Sequence, residues 1–295
     1  MFMKIKKVMI CGLGALGLTY ANKLKDVCDL KILANKERIE KYKIQIPTLN
    51  NKKFDLDYIT PEKNWTPDLI IISTKSTGLN SALKYLKNFV QNNTIIISLI
   101  NGISSEEIIS KTYPQAKVLR SYFIGHSAIR KENKTTQDGV GKMVFEPNSD
   151  LENFFKTNNI DYEVTNDIIY SQWIKLGVNI ILNEPSAIYK CTVGELRKHN
   201  DYLTLTQCLL KEVKEVAQAY GIKNLENYEK EVLKSANLIS NDGKTSMYQD
   251  VIAKRKTEID IFSGEIIKLG KKYGIETPNN QKIYNDIKQI EKNFI

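Results

Sequence analysis

The stretch KKVMICGLGALGLTYANKL, Lys6 to Leu24, constrains the fold more than any other part of the chain. Val8 to Cys11 is a short apolar run of strand type, Gly12, Gly14 and Gly17 follow at GxGxxG spacing, and a helical segment comes next. Each glycine has its own physical reason. Gly12 permits the tight turn, Gly14 lets the backbone approach a pyrophosphate, and Gly17 lets the helix pack closely on the strand. Backbone N–H groups and the helix dipole then hold the phosphates. Glycines at this spacing also occur in plain turns, so the surrounding sequence decides the reading.

That context is a series of apolar runs alternating with helical stretches: DLKILA (Asp29 to Ala34), DLIIIST (Asp68 to Thr74), NTIIISLING (Asn93 to Gly102) and AKVLRSYF (Ala116 to Phe123). Such alternation predicts a parallel sheet covered on both faces, hence an α/β Rossmann-type N-terminal domain. DGVGKMVFE (Asp138 to Glu146) and IDYEVTND (Ile160 to Asp167) read as further strands completing the far edge of the sheet. The boundary falls near Asn166, giving a dinucleotide-binding domain over 1–166 and a second domain over 167–295.

Open α/β sheets bind ligands at the carboxyl ends of their strands, and three loops lie there. After the second strand comes ANKER. Lys36 and Arg38 favour the 2′-phosphate of NADP(H), while Glu37 keeps NAD open, as does a simple solvated loop. STKST places Lys75 after the third strand, within reach of cofactor phosphate or ribose. LINGIS places Asn101 and Gly102 after the fourth, where Asn101 would bond nicotinamide or substrate. Taken singly, each of these is also an ordinary turn residue.

Composition narrows the function classes. With 42% hydrophobic and 26% charged residues the chain is globular rather than disordered. The formal charge of +9 invites a polyanionic partner, yet only five of the 43 basic residues are Arg and the Lys alternate with 34 acids. No basic cluster or aromatic-basic motif supports nucleic-acid binding. Cys11, Cys28, Cys191 and Cys208 form no CxxC pair and no metal-ligand spacing with His126 and His199, so no metal is expected. Lys4, Lys6 and Lys7 before an apolar run imitate a signal peptide, but three glycines break that run and cleavage would remove the first strand. The expectation is a cytoplasmic protein without a membrane span, since no apolar stretch reaches ~20 residues.

The second half turns helical, with apolar residues at three- and four-residue spacing near 168–183, 200–219, 225–239, 246–272 and 279–293, the last starting at Thr277-Pro278. An α/β domain followed by an all-helical C-terminal domain predicts a substrate cleft at their junction. In WIKLGVNIILNEPSA, Lys175, Asn179 and Asn183 recur every four residues on an otherwise apolar helix. Burial there would lower the lysine pKa and suit Lys175 to proton donation; equally, Lys175 snorkels to solvent and the Asn bond backbone. Ser246 in DGKTSMYQD sits near a helix start, as a cap or as a carboxylate-binding hydroxyl. Glu258 in KRKTEIDIFSG, with Ile261 and Phe262 at i+3 and i+4, lies beside an apolar face as a candidate site acid or is an ordinary surface acid, whereas Asp260 is the more solvent-directed.

The ordered set GLGALG, STKS, LINGI, WIKLGVNIILN, TSMYQD and KTEIDIFSGEIIKLGKKYGIETPNN resembles the ketopantoate reductase (2-dehydropantoate 2-reductase) family over nearly the whole chain. The resemblance implies NADPH-dependent reduction of ketopantoate to pantoate, towards pantothenate and coenzyme A, in a monomer or homodimer. It implies Lys175 as proton donor to the keto oxygen, and Asn101, Asn179, Asn183, Ser246 and Glu258 as substrate-binding residues, Glu258 on the hydroxyl and Ser246 on the carboxylate. It further implies cofactor contacts from Gly12, Leu13, Gly14, Ala15, Leu16, Gly17, Asn35, Lys36, Lys75, Asn101 and Glu258. Two positions depart from the pattern. Asn35 stands where some members have Arg, moving the 2′-phosphate contact to Lys36 or Arg38, and Val193 stands where some have Asn, removing a substrate hydrogen bond. Reduction of another 2-keto acid, or cofactor sensing without catalysis, are the alternatives such a sequence leaves.

Overall fold

The computed structural model describes residues 4–125 and 127–294; His126, considered above for metal binding, lies outside them. The chain divides into two compact units, Met1–Ile168 and Ile169–Ile295.

In the first unit the strands are β1 (Lys7–Cys11), β2 (Asp29–Leu33), β3 (Thr48–Leu49), β4 (Lys52–Lys53), β5 (Tyr58–Ile59), β6 (Leu69–Ile72), β7 (Ile95–Ser98), β8 (Lys117–Leu119), β9 (Ser121–Ile124), β10 (Ser127–Lys131), β11 (Lys134–Asp138), β12 (Lys142–Phe145) and β13 (Tyr162–Val164). The helices are α1 (Ala15–Leu24), α2 (Lys36–Ile44), α3 (Leu79–Leu86), α4 (Ser105–Thr112) and α5 (Ser149–Thr157). Six strands form one sheet in the order β5-β2-β1-β6-β7-β8, every neighbouring pair parallel. Counted along the chain this is 3-2-1-4-5-6, the order of dinucleotide-binding sheets, with the switch point between β1 and β6. Helices cover both faces of such a sheet, which is why Val8, Ile10, Leu69, Ile71, Ile96 and Ile97 can all be fully buried on uninterrupted apolar runs.

Two expectations need correction here. Ala116 to Phe123 is not one strand. Arg120 breaks it, its backbone N–H taken by Glu146 Oε1 at 2.7 Å, so β8 ends the parallel sheet while β9 turns away to pair antiparallel with β12. The strands after Asp138 do not complete the sheet edge either. β12 and β13 join β9 in a separate three-stranded sheet, ordered β13-β12-β9, held by an aromatic cluster in which Phe145 stacks on Tyr162 at 5.5 Å and meets Phe155 edge-on at 5.7 Å. A third small sheet, β10-β11-β3-β4, went unread because two of its strands are only two residues long.

The second unit is helical: α6 (Ile168–Tyr189), α7 (Val193–Arg197), α8 (Tyr202–Tyr220), α9 (Tyr228–Asn237), α10 (Ser246–Ile252), α11 (Ser263–Tyr273) and α12 (Pro278–Lys292). Trp173, Leu176, Ile180, Ile181 and Leu182 bury α6, and Pro185 lies inside it. Tyr228 of α9 donates its hydroxyl to the Trp173 carbonyl at 2.9 Å, over Gly177, where a Cβ would meet that hydroxyl at 2.7 Å. The expected helix over 246–272 is interrupted. Lys254 takes φ +48°, and the chain bends there, with Arg255 N–H bonded back to the Asp250 carbonyl at 2.8 Å and its guanidinium to the Asp250 carboxylate at 2.9 Å. Thr277 and Pro278 do start the final helix, Pro at its first turn.

Candidate functional site

The glycine turn meets the loop after β6 at the switch point of the sheet. Gly12 has φ +104°, a backbone state closed to other residues without strain, and its carbonyl accepts from Ser73 Oγ at 2.6 Å. A Cβ on Gly12 would meet Thr74 N at 2.8 Å, and one on Gly17 would meet the Gly12 carbonyl oxygen at 1.9 Å. Gly14 differs. A Cβ there would meet only Ser73 O, at an ordinary 3.5 Å, so the fold itself does not require glycine at that position.

The space Gly14 leaves lies at the N-terminus of α1, which no side chain caps. Unshared N–H groups and a positive helix end suit a phosphate. Beside them the buried Thr74 hydroxyl has no hydrogen-bond partner among the described residues. The cradle therefore fits a dinucleotide pyrophosphate. Ser73 and Thr74 escaped the sequence reading, which stopped at Lys75; the signal was a polar pair closing a buried apolar strand. Lys75 itself is exposed and precedes the short 3-10 turn Ser76–Gly78.

Asn35 follows β2 and caps α2, its Oδ1 accepting from Arg38 N at 2.9 Å, while the Lys36, Glu37 and Arg38 side chains are exposed. Asn101 is half-buried in the bend after β7, next to Gly102 at φ +89°. A serine cluster pins that bend: Ser98 Oγ lies 2.9 Å from Ser105 Oγ and accepts from Ile100 N at 3.3 Å, and Ser121 Oγ donates to the Ser98 carbonyl at 2.8 Å.

In the helical unit, Lys175, Asn179 and Asn183 are all half-buried along α6. Asn183 Nδ2 lies 3.5 Å from Asn179 Oδ1 and 3.2 Å from Ser246 Oγ, which joins the stripe to α10. Ser246 does not cap that helix. Thr245 does, accepting from Tyr248 N at 3.2 Å and sharing a 2.7 Å bond with Ser186, so the Ser246 hydroxyl stays available to Asn183. Asn179 Nδ2 is buried without a hydrogen-bond partner among the described residues.

Glu258 lies outside any α-helix, heading the 3-10 turn Ile259–Ile261, so its relation to Ile261 and Phe262 is not the helical one expected. It is half-buried. Asp260, expected to face solvent, accepts from Tyr284 Oη at 2.9 Å and pairs with Lys288 at 2.8 Å; despite its partial burial, these partners hold its carboxyl below the usual range. Val193 is fully buried, a core position at the start of α7. No group of His, Cys, Asp and Glu that could hold a metal occurs among the described residues, and no helix among them is long and apolar enough to cross a membrane.

The sequence profile described as "Ketopantoate reductase PanE/ApbA" matches residues 8–150, and that described as "Ketopantoate reductase PanE/ApbA C terminal" matches residues 167–291. This chain belongs to the ketopantoate reductase family of oxidoreductases. Its relatives in the family include 2-dehydropantoate 2-reductases of Pyrococcus horikoshii, 30% identical over 97% of both chains, and of Streptococcus pyogenes serotype M6, 26% identical over 92% of this chain and 93% of the other. Among solved structures, a D-mandelate dehydrogenase with NADH and anilino(oxo)acetate superposes with TM-score 0.88 at 22% identity, covering 98% of this chain and 99% of that one. A dimeric ketopantoate reductase from Staphylococcus aureus gives 0.81 at 23%, with the same coverage. The family fold is thus an α/β nucleotide domain with a helical C-terminal domain, and the like-folded D-mandelate dehydrogenase was solved with NADH.

Proposed function

We propose that this chain reduces 2-dehydropantoate to pantoate with NADPH, the first unit holding the cofactor and the second supplying the substrate groups. The observation that carries the reading is the linked set Asn179, Asn183 and Ser246 on and beside the helix of Lys175, with the Asn179 amide donor still unpaired. NADPH, when bound, supplies a hydride to the C2 carbonyl carbon of the keto acid. The carbonyl electron pair moves onto oxygen as the new C–H bond forms, and the Lys175 ammonium stabilises that charge and transfers its proton to the oxygen. Asn179, Asn183 and Asn101 fix the substrate, Ser246 binds its carboxylate, and Glu258 its hydroxyl. On the cofactor side, Gly12 to Gly17 cradle the pyrophosphate, Lys75 and Asn101 flank it, and Lys36 with Arg38 meet the 2′-phosphate, since Asn35 is committed to capping α2.

Steady-state assay of the full chain with ketopantoate and either NADPH or NADH tests this reading. Oxidation of NADPH with ketopantoate, faster than with NADH, supports it; no turnover with ketopantoate removes it. Glu37, exposed beside the ribose loop, favours a second reading in which NADH serves, and the like-folded NADH-bound D-mandelate dehydrogenase keeps other 2-keto acids on the assay panel.

A further inference from the structure

Four buried side chains of the helical unit form a hydrogen-bonded chain that the proposed reaction does not use. Glu184 of α6, Ser263 at the start of α11 and Asn280 in the first turn of α12 are 0% exposed, and Glu212 of α8 is 5% exposed. Glu212 accepts from the backbone N–H groups of Asn279 and Asn280 at 2.8 and 2.9 Å, and from their side-chain amides at 2.6 and 2.7 Å. Four donors at the start of α12 occupy both carboxylate oxygens, so both act as acceptors. The Asn280 amide is thereby oriented, its Nδ2 towards Glu212 and its Oδ1 towards Ser263 Oγ, 2.9 Å away.

Ser263 Oγ also lies 2.6 Å from Glu184 Oε2. A hydroxyl carries one proton, and two acceptor oxygens face it. With Glu184 ionised, one of these contacts would bring two oxygens together without a hydrogen between them. A proton on Glu184 Oε2 resolves the count. Glu184 then donates to Ser263, Ser263 to Asn280 and Asn280 to Glu212, while Glu184 Oε1 accepts from Ser263 N at 2.9 Å.

We propose that Glu184 is held as a neutral carboxylic acid and serves as a positioning residue, setting Asn183, which it directly follows, against the segment from Glu258 to Ser263. That segment is fixed from two sides: Thr257 donates to Glu291 at 2.6 Å, and Ser263 is bonded to Glu184. The charged groups met along these contacts are Glu212 of α8, reached through Asn280, the Glu265–Lys268 pair just beyond Ser263 on α11, and Glu291 of α12, which takes the Thr257 hydroxyl and pairs with Lys288. Burial pushes the Glu184 carboxyl up to about 8, against the opposing pull of the hydrogen bonds that Ser263 would donate to the ionised form. The residue of α12 bonded to Ser263, Asn280, is uncharged.

The sign of the pH effect follows. Between 4.5, the ordinary value, and about 8 the folded chain keeps a proton that the unfolded chain has lost, so stability present in acid declines as pH rises through that window. E184Q keeps both partners, its amide N–H donating to Ser263 Oγ and its carbonyl accepting from Ser263 N–H, but cannot ionise.

The test compares full-length wild type with E184Q and E184A. Infrared difference spectra at about pH 6 are expected to show a protonated-carboxyl carbonyl band in wild type that E184Q lacks. Thermal unfolding is expected to show E184Q gaining several degrees on wild type between about pH 5 and about pH 9. For ketopantoate, E184Q is expected to hold KM within about twofold of wild type at neutral pH, and flat above pH 8 where the wild-type KM climbs; E184A is expected to raise KM roughly tenfold with kcat less affected. Absence of the band, or the same pH profile in E184Q and wild type, overturns the proposal, and these two readouts suffice if E184A fails to fold. The positioning role rests on the proposed function: if ketopantoate is not turned over, that role falls, whereas the band and the unfolding profile still decide the protonation state.

Discussion

At the scale of single residues, three glycines of one motif do three different jobs. Gly17→Ala places a methyl group 1.9 Å from the Gly12 carbonyl oxygen, against backbone that cannot step aside, so this variant is expected to unfold at markedly lower denaturant concentration or not to accumulate. Gly14→Ala meets nothing closer than 3.5 Å and is expected to keep the wild-type unfolding midpoint, while calorimetric titration shows NADPH affinity falling about tenfold or more. Equal stability loss in the two would argue against the phosphate cradle. The GxGxxG spacing was plain in the sequence, but this division of labour was not. It depends on Ser73 and Thr74, more than fifty residues away in the chain. Asn179 offers a parallel test. Its unpaired buried amide is expected to find its acceptor on the substrate, so Asn179→Ala should raise the ketopantoate KM roughly 10-fold or more while leaving NADPH binding intact.

At the scale of elements, α6, on which the proposed chemistry rests, is held from several sides. Trp173 is fully buried, Tyr228 bonds its carbonyl, and Glu184 is tied to α11, so a lysine four residues before Asn179 has little freedom to wander. Lys175→Ala is expected to lower kcat by about 10²-fold or more with NADPH affinity unchanged, and a parallel fall in both would remove the proton-donor assignment. Tyr228→Phe removes only the bond to the Trp173 carbonyl and is expected to cost about 1 kcal/mol in chemical denaturation, with near-normal turnover. The parallel strands were legible because burial on both faces writes an uninterrupted apolar run. The division of Ala116 to Phe123 was not, because Arg120 is diverted by a carboxylate on a strand further along the chain. The gap within 246–272 was hidden for another reason: apolar spacing continues on both sides of Lys254, and only its positive φ marks the break. Glu184 was invisible too, since nothing local separates a buried glutamate from the many on the surface.

At the scale of the whole molecule, two compact units divide the proposed labour between cofactor and substrate. A chain limited to 1–168 is expected to bind NADPH, seen as a rise in its thermal midpoint with added cofactor, yet to leave ketopantoate unreduced because Lys175 is absent. Cofactor binding without such a rise is physically inconsistent, so its absence would place essential cradle groups elsewhere. The sequence order of motifs carried the family, whereas the side-chain partnerships of Asn183 with Asn179 and Ser246 emerged only in three dimensions. The open space above Gly14 has a practical meaning as well. A methyl group there is expected to act as a plug that fills the seat and leaves the furniture standing, offering an intact but cofactor-poor form of the protein for asking which of its roles in a cell depend on turnover and which only on its being there.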